Sequence, residues 1–129
     1  MSMAKRPCRI LVVDDDKDTA ETFAYLLDEM GHDATFLSDP PAVLETVERV
    51  KPHIIFLDLG MPGIDGWELA KRLRKLYPPD GPLRLVAVSD HGDEAARIKS
   101  RKAGFDAHVT KPVAIDLVEV IIKQLDPRC

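Results

Sequence analysis

The chain has 129 residues, 45% of them hydrophobic and 31% charged, with a formal charge of −4. That length suits one domain around one core, and the composition is that of a folded chain, not a disordered one. No apolar run approaches the roughly 20 residues that cross a bilayer, and the net acidity argues against direct nucleic-acid binding.

The doubled start Met1-Ser2-Met3 is excluded from the expected fold. Lys5 and Arg6 are followed by Pro7, Cys8 and Arg9, and the apolar stretch Ile10 to Val13 is too short for a signal peptide. The two cysteines, Cys8 and Cys129, sit at opposite ends and outside any CxxC or CxxxH pattern. The expectation is no disulfide framework and a reducing, cytoplasmic location.

In chain order, short Ile/Val-rich runs alternate with longer stretches of helical spacing. A first strand is predicted over 9–13 (RILVV), then a helix marked by Phe23, Leu26, Leu27 and Met30 and stopped by Gly31. A second strand over 33–37 (DATFL) leads to a helix marked by Val43, Leu44, Val47 and Val50, with Asp39 as N-cap and Pro40 and Pro41 in its first turn. A third strand over 53–57 (HIIFL) precedes a helix with Leu69, Leu73 and Leu76, ended by Tyr77-Pro78-Pro79. A fourth strand over 83–88 (LRLVAV) precedes a weaker helix with Ala95, Ile98 and Ala103, closed by Gly104. A fifth strand over 106–110 (DAHVT) precedes a helix with Ile115, Val118, Ile122 and Leu125. Three of the strands are nearly continuous apolar runs, as when helices cover both faces. Strict strand–helix alternation implies a parallel sheet with right-handed crossovers.

In such a sheet, ligands sit beyond the carboxyl ends of the strands. After the first strand come Asp14, Asp15 and Asp16; after the third, Asp58; after the fourth, Ser89 and Asp90; after the fifth, Lys111 and Pro112. Each has a plain structural role open to it: helix capping for the aspartates, a turn at Asp58, an N-cap at Ser89, a solvated Lys111. Jointly they point elsewhere. Several carboxylates at one sheet edge are costly without a cation, and an oxygen-only set suits Mg²⁺ better than Zn²⁺. A lysine beside them suggests an anion that also meets the metal. The segment VVDDDKDTAE holds no glycine and would repel a bare phosphate, which excludes a dinucleotide-type loop. His32, His53 and His91 are scattered without metal-ligand spacing.

The stretches ILVVDDD, IIFLDLGMPGIDGWELAKRLR, LVAVSD and GFDAHVTKP resemble, in this order, the receiver domain of two-component response regulators. The resemblance covers about residues 8–125. It implies a flavodoxin-like (βα)5 doubly wound fold, a five-stranded parallel sheet of order 2-1-3-4-5. It implies Asp58 as phosphoryl acceptor and Mg²⁺ as cofactor, held by Asp14, Asp15, Asp58 and the Gly60 carbonyl, with Asp15 the more direct ligand of the acidic pair. Ser89 matches the family's switch hydroxyl and Lys111 its lysine, with a cis Lys111–Pro112 bond common in relatives. His108 falls where the family usually places a switch Tyr or Phe. Gly60, Pro62 and Gly63 would let backbone approach the site, while positions 60 and 91 would tune water access.

The implied function is acceptance of a phosphoryl group from a phosphohistidine, followed by a population shift linking Ser89 to His108 and to the surface of the fourth helix, fifth strand and fifth helix. The implied partners are a histidine kinase or a histidine phosphotransfer domain, with a homodimer through that surface and no membrane contact. No external turnover is expected. The fifth helix carries more apolar residues than one stripe needs, and Arg97, Lys99, Arg101 and Lys102 make the fourth basic. No effector segment follows residue 125, so a stand-alone receiver or one taken from a larger protein is expected; GFDAHVTKPV is similar to receivers of hybrid sensor histidine kinases. The alternatives are a degenerate receiver serving only as an interaction module, which would lack an acid or the lysine, and an aspartate-nucleophile phosphohydrolase, which would carry a second acid where Gly60 stands.

Overall fold

Side chains of successive strand residues point to opposite faces of a sheet, so a strand buried on both sides must be apolar at every position. The computed structural model, which describes residues 7–129, alternates five strands with five α-helices. The strands are β1 (Arg9–Val13), β2 (Asp33–Leu37), β3 (Ile54–Asp58), β4 (Arg84–Ser89) and β5 (Ala107–Thr110). The helices are α1 (Lys17–Glu29), α2 (Val43–Val50), α3 (Gly66–Leu76), α4 (Glu94–Ala103) and α5 (Ile115–Leu125). All pairings are parallel and the strand order is 2-1-3-4-5. The three continuous apolar runs, β1, β3 and β4, occupy the three interior places.

Parity divides the core. Ile10, Val12, Ile54, Phe56, Val86 and Val88 face α1 and α5, where Phe23 meets Phe56 edge-on at 5.1 Å. Leu11, Val13, Ile55, Leu57, Leu85 and Ala87 face α2, α3 and α4. Each fully buried aliphatic or aromatic side chain contributes about 1.5–3 kcal/mol. A one-residue slip of any interior strand would exchange the two faces, so the register is firmly set.

The strands begin and end within one residue of the expected bounds. The second helix differs more. Pro40–Ala42 forms a 3-10 turn ahead of α2, and the Asp39 side chain makes no capping bond. Pro40 and Pro41 lack the N–H groups that such a side chain would hold. Aspartate caps three of the other helices, Asp16 for α1, Asp65 for α3 and Asp93 for α4, while α5 begins after Ala114 without a side-chain cap. Ser89 therefore caps no helix. Gly31 and Gly104 close α1 and α4 in left-handed conformation, φ 95° and 108°.

The cysteines depart from the expectation. Cys8, just ahead of β1, and Cys129, just past α5, are joined by a disulfide with their Cα atoms 5.3 Å apart. Both are buried against the α1/α5 face. The doubly wound fold returns its last helix beside its first strand, a closeness that a separation of 121 residues conceals. The bond removes the argument from cysteine usage for a reducing compartment. Among the described residues, no helix is long and apolar enough to cross a membrane. Met1-Ser2-Met3, Lys5 and Arg6 lie outside the described residues.

Candidate functional site

Four strands, β1, β3, β4 and β5, deliver residues to the crevice. β1 runs into three aspartates that take different roles. Asp16 caps α1, accepting from the N–H groups of Asp18 and Thr19. Asp14 turns inward, is buried, and accepts from the Asp16 N–H at 2.9 Å. Asp15 stays exposed at the rim. Asp58 is the last residue of β3 and only 4% exposed. Its Oδ1 accepts from the Gly60 N–H at 2.9 Å, and its Oδ2 lies 3.2 Å from Lys111 Nζ. The same ammonium stands 3.8 Å from Asp14 Oδ2. The Lys111 N–H donates to the Ser89 carbonyl, which carries the β4–β5 pairing past the sheet and sets the lysine beside the site. The Lys111–Pro112 bond is cis, as the resemblance implies.

Asp14, Asp15 and Asp58 each offer an oxygen within 4.8 Å of the others. Burial pushes the Asp14 carboxyl up to about 6; the Asp16 N–H and Lys111 oppose the rise, and Asp58 adds to it. Burial works to lower the Lys111 pKa, but Asp58, Asp14 and Asp90 outweigh it and hold the ammonium above its usual range. The lysine is thus charged at neutral pH and offsets part, not all, of the carboxylate charge. A compact, oxygen-only, under-neutralised set of this kind fits a hard divalent cation such as Mg²⁺. Among the described residues no histidine joins it.

Ser89 ends β4, buried, and its Oγ accepts from the His91 N–H at 2.9 Å. His91 is exposed. A Cβ built at Gly60 would stand 3.5 Å from Asp58 Oδ1 and 4.0 Å from Asp90 Oδ2, so position 60 overlooks the carboxylate. Of the loop's glycines it is Gly63 that takes the left-handed form, φ 74°.

His108 on β5 is half-buried and bonded at both ring nitrogens. Nε2 lies 3.0 Å from the His91 carbonyl and Nδ1 lies 2.9 Å from Ser100 Oγ. Ser100 is 1% exposed and also accepts from Trp67 Nε1 at 3.2 Å. Sequence reasoning missed Ser100: a serine within a basic helix carries no mark of burial, and its partners lie 8 and 33 residues away. On α5, Leu117 and Val120 are half-exposed while Val118, Ile121 and Ile122 are buried, so part of its apolar surface faces outward. Beside the site, a cleft of about 680 Å³ runs from Asp14 and Lys111 along Phe23 and Leu26 of α1 to Ile115.

The profile of the response regulator receiver domain family matches residues 10–123. An uncharacterized 14.6 kDa protein in the sodA1 3′ region of Leptolyngbya boryana is 34% identical over 113 residues, covering 87% of this chain and 86% of that one. The sensory transduction protein RegX3 of Mycobacterium tuberculosis is 32% identical over 103 residues, which are 80% of this chain but only 44% of RegX3. The receiver domain of the Francisella response regulator 1452 superposes with a TM-score of 0.83 at 30% identity, covering 94% of this chain and 98% of that one. A profile match that runs from β1 into α5 takes in every strand that delivers a residue to the crevice, and the chain belongs to the response regulator receiver domain family.

Proposed function

We propose that Asp58 accepts a phosphoryl group from a phosphohistidine on a histidine kinase or a histidine phosphotransfer domain. The observation that carries this reading is the Asp58 carboxylate, buried at a strand end yet held 3.2 Å from a lysine and beside two further aspartates. An oxygen of Asp58 attacks phosphorus, the bond to the donor's imidazole nitrogen breaks, and the imidazole leaves with the electron pair. The transition state spreads charge over three equatorial oxygens, so positioning and electrostatics do most of the catalysis. Lys111 takes one oxygen and Ser89 donates to another after leaving the His91 N–H. Asp14, Asp15, Asp58 and the Gly60 carbonyl would hold Mg²⁺, which when bound supplies charge neutralisation in an acidic crevice.

Occupancy then shifts the surface of α4, β5 and α5 through Ser89 and His108, and hydrolysis of the acyl phosphate resets it. No external substrate is turned over. The half-exposed Leu117 and Val120 support a homodimer through that surface, and the cleft along α1 supports docking of the phosphodonor protein beside Asp58. The domain spans 8–125, acts in the cytoplasm, and contacts neither nucleic acid nor membrane directly.

Intact-mass spectrometry after incubation with Mg²⁺ and acetyl phosphate tests this, with Asp58→Asn in parallel. One added phosphoryl group, prevented by EDTA and absent from the variant, is expected. If the wild type takes up neither a phosphoryl group nor beryllofluoride, the reading fails.

A further inference from the structure

The charge of this chain is strongly divided. α3 and α4 hold eight of its 18 lysines and arginines (Lys71, Arg72, Arg74, Lys75, Arg97, Lys99, Arg101, Lys102) but two of its 22 acids (Glu68, Glu94), a net +6 in a chain of −4. Between the two helices lies a cleft of about 470 Å³ with Trp67, Ile98, Lys71, Lys99 and Lys102 on its walls. It continues past Lys71 and Lys102 into a second hollow of about 450 Å³ beside Lys75 and Arg101. Arg74 is committed elsewhere, to Asp106 and the Gly104 carbonyl, but the lysines are exposed. Lys99 Nζ stands 3.9 Å from the centre of the Trp67 ring.

The cleft is also wired to the crevice. The His91 carbonyl can only accept, so in the neutral ring His108 donates to it from Nε2 and accepts at Nδ1 from the Ser100 hydroxyl. Ser100 Oγ in turn accepts from Trp67. The far end of this relay is the His91 N–H held by Ser89 Oγ. Drawing Ser89 away releases the loop whose carbonyl orients His108, and with it the hydroxyl that anchors the indole lining the cleft.

We propose that the α3–α4 cleft is a docking site for an extended, acidic protein segment, and that occupancy of Asp58 changes its affinity through His108, Ser100 and Trp67. Helices of this length are about 15 Å long, the span of about five extended residues. The charge balance favours a short acidic segment over nucleic acid, because a long polyanion would also meet the acidic remainder of the molecule. The docking stands by itself; the coupling rests on Asp58 as phosphoacceptor.

The test is an NMR titration of the full chain with capped hexaglutamate, with hexalysine and a short oligothymidylate as controls. Trp67 is the sole tryptophan, so its indole N–H is an unambiguous reporter. Hexaglutamate should shift that signal together with α3 and α4 amides, and hexalysine should not. Lys99→Glu with Lys102→Glu should weaken binding about tenfold. Adding Mg²⁺ and beryllofluoride should change the affinity about fivefold. Ser100→Ala, and Trp67→Phe followed by its α4 amides, should erase that change while the peptide still binds. An unmoved indole signal, an affinity indifferent to charge reversal, or tighter binding of oligothymidylate would overturn the docking. Beryllofluoride uptake is read separately at the Gly60 and Lys111 amides. If these do not respond, the phosphoacceptor reading falls and takes the coupling with it, and the peptide titration alone still decides the docking. If they respond and the affinity does not, only the coupling falls.

Discussion

Asp14 holds its proton more tightly in the folded chain than in an unfolded one, because burial and the neighbouring Asp58 push its carboxyl from 3.8 to about 6. Between these values the native state binds the extra proton, so this group lowers stability as pH rises through the window and has no effect below it. The loss builds through this window and is nearly complete by pH 7. Urea unfolding in EDTA at pH 4 to 7 should show it as a difference from Asp14→Asn, whose profile lacks this component. Mg²⁺ binds the ionised form, so its affinity should fall as pH drops below about 6, measurable by calorimetry. Lys111→Ala removes the cation 3.2 Å from Asp58 and should slow phosphorylation by acetyl phosphate about 10²-fold, followed by intact mass. Asp58 stands out in the sequence because it closes the apolar run Ile54–Leu57, and Lys111 because it follows the fifth strand at the sheet edge where the acids collect. Ser100 does not, since only the assembled fold brings Trp67 and His108 to it.

At the level of elements, the helix after Asp58 is seated by a single hydrogen atom. A Cβ at Gly66 would lie 2.7 Å from Leu59 Cδ2 and 3.1 Å from the Leu59 backbone. Gly66→Ala must therefore displace the Leu59 side chain and ease α3 and the segment after Asp58 apart by a few tenths of an ångström. A loss of about 1–3 kcal/mol in urea unfolding is expected, with slower phosphorylation as the Asp58 loop shifts. Apolar runs located the three interior strands, because in a sheet covered on both faces burial dictates residue type at nearly each position, and helical spacing located the five helices. Periodicity could not settle how α2 begins. There, two prolines override an aspartate that reads as a cap, since a cap needs N–H groups to hold. Nor could it show Gly66 as a contact, because a glycine beside Asp65 reads equally well as part of a turn.

For the whole molecule, the crosslink between Cys8 and Cys129 closes nearly the entire chain into one loop. In the chain-entropy account a loop of about 100 residues gains about 4.7 kcal/mol, so Cys8→Ser with Cys129→Ser should lower the melting temperature markedly. Reductant should do the same to the wild type and nothing to the variant. Phosphorylation of Asp58 should proceed at an unchanged rate in both, because the bridge sits at the amino edge of the sheet and the crevice at the carboxyl edge. The fold class and the strand order were legible from the motifs, but this closure was not, since two cysteines alone carry no pattern.

The place where the backbone enters the fold and the place where it leaves are 5.3 Å apart, little more than the spacing of adjacent strands. A longer polypeptide could carry this fold inside one of its surface loops without stretching that loop open. Tension along such a host would be borne by the two sulfurs at the base, and the acidic crevice at the opposite rim would stay unstrained while its neighbours are pulled.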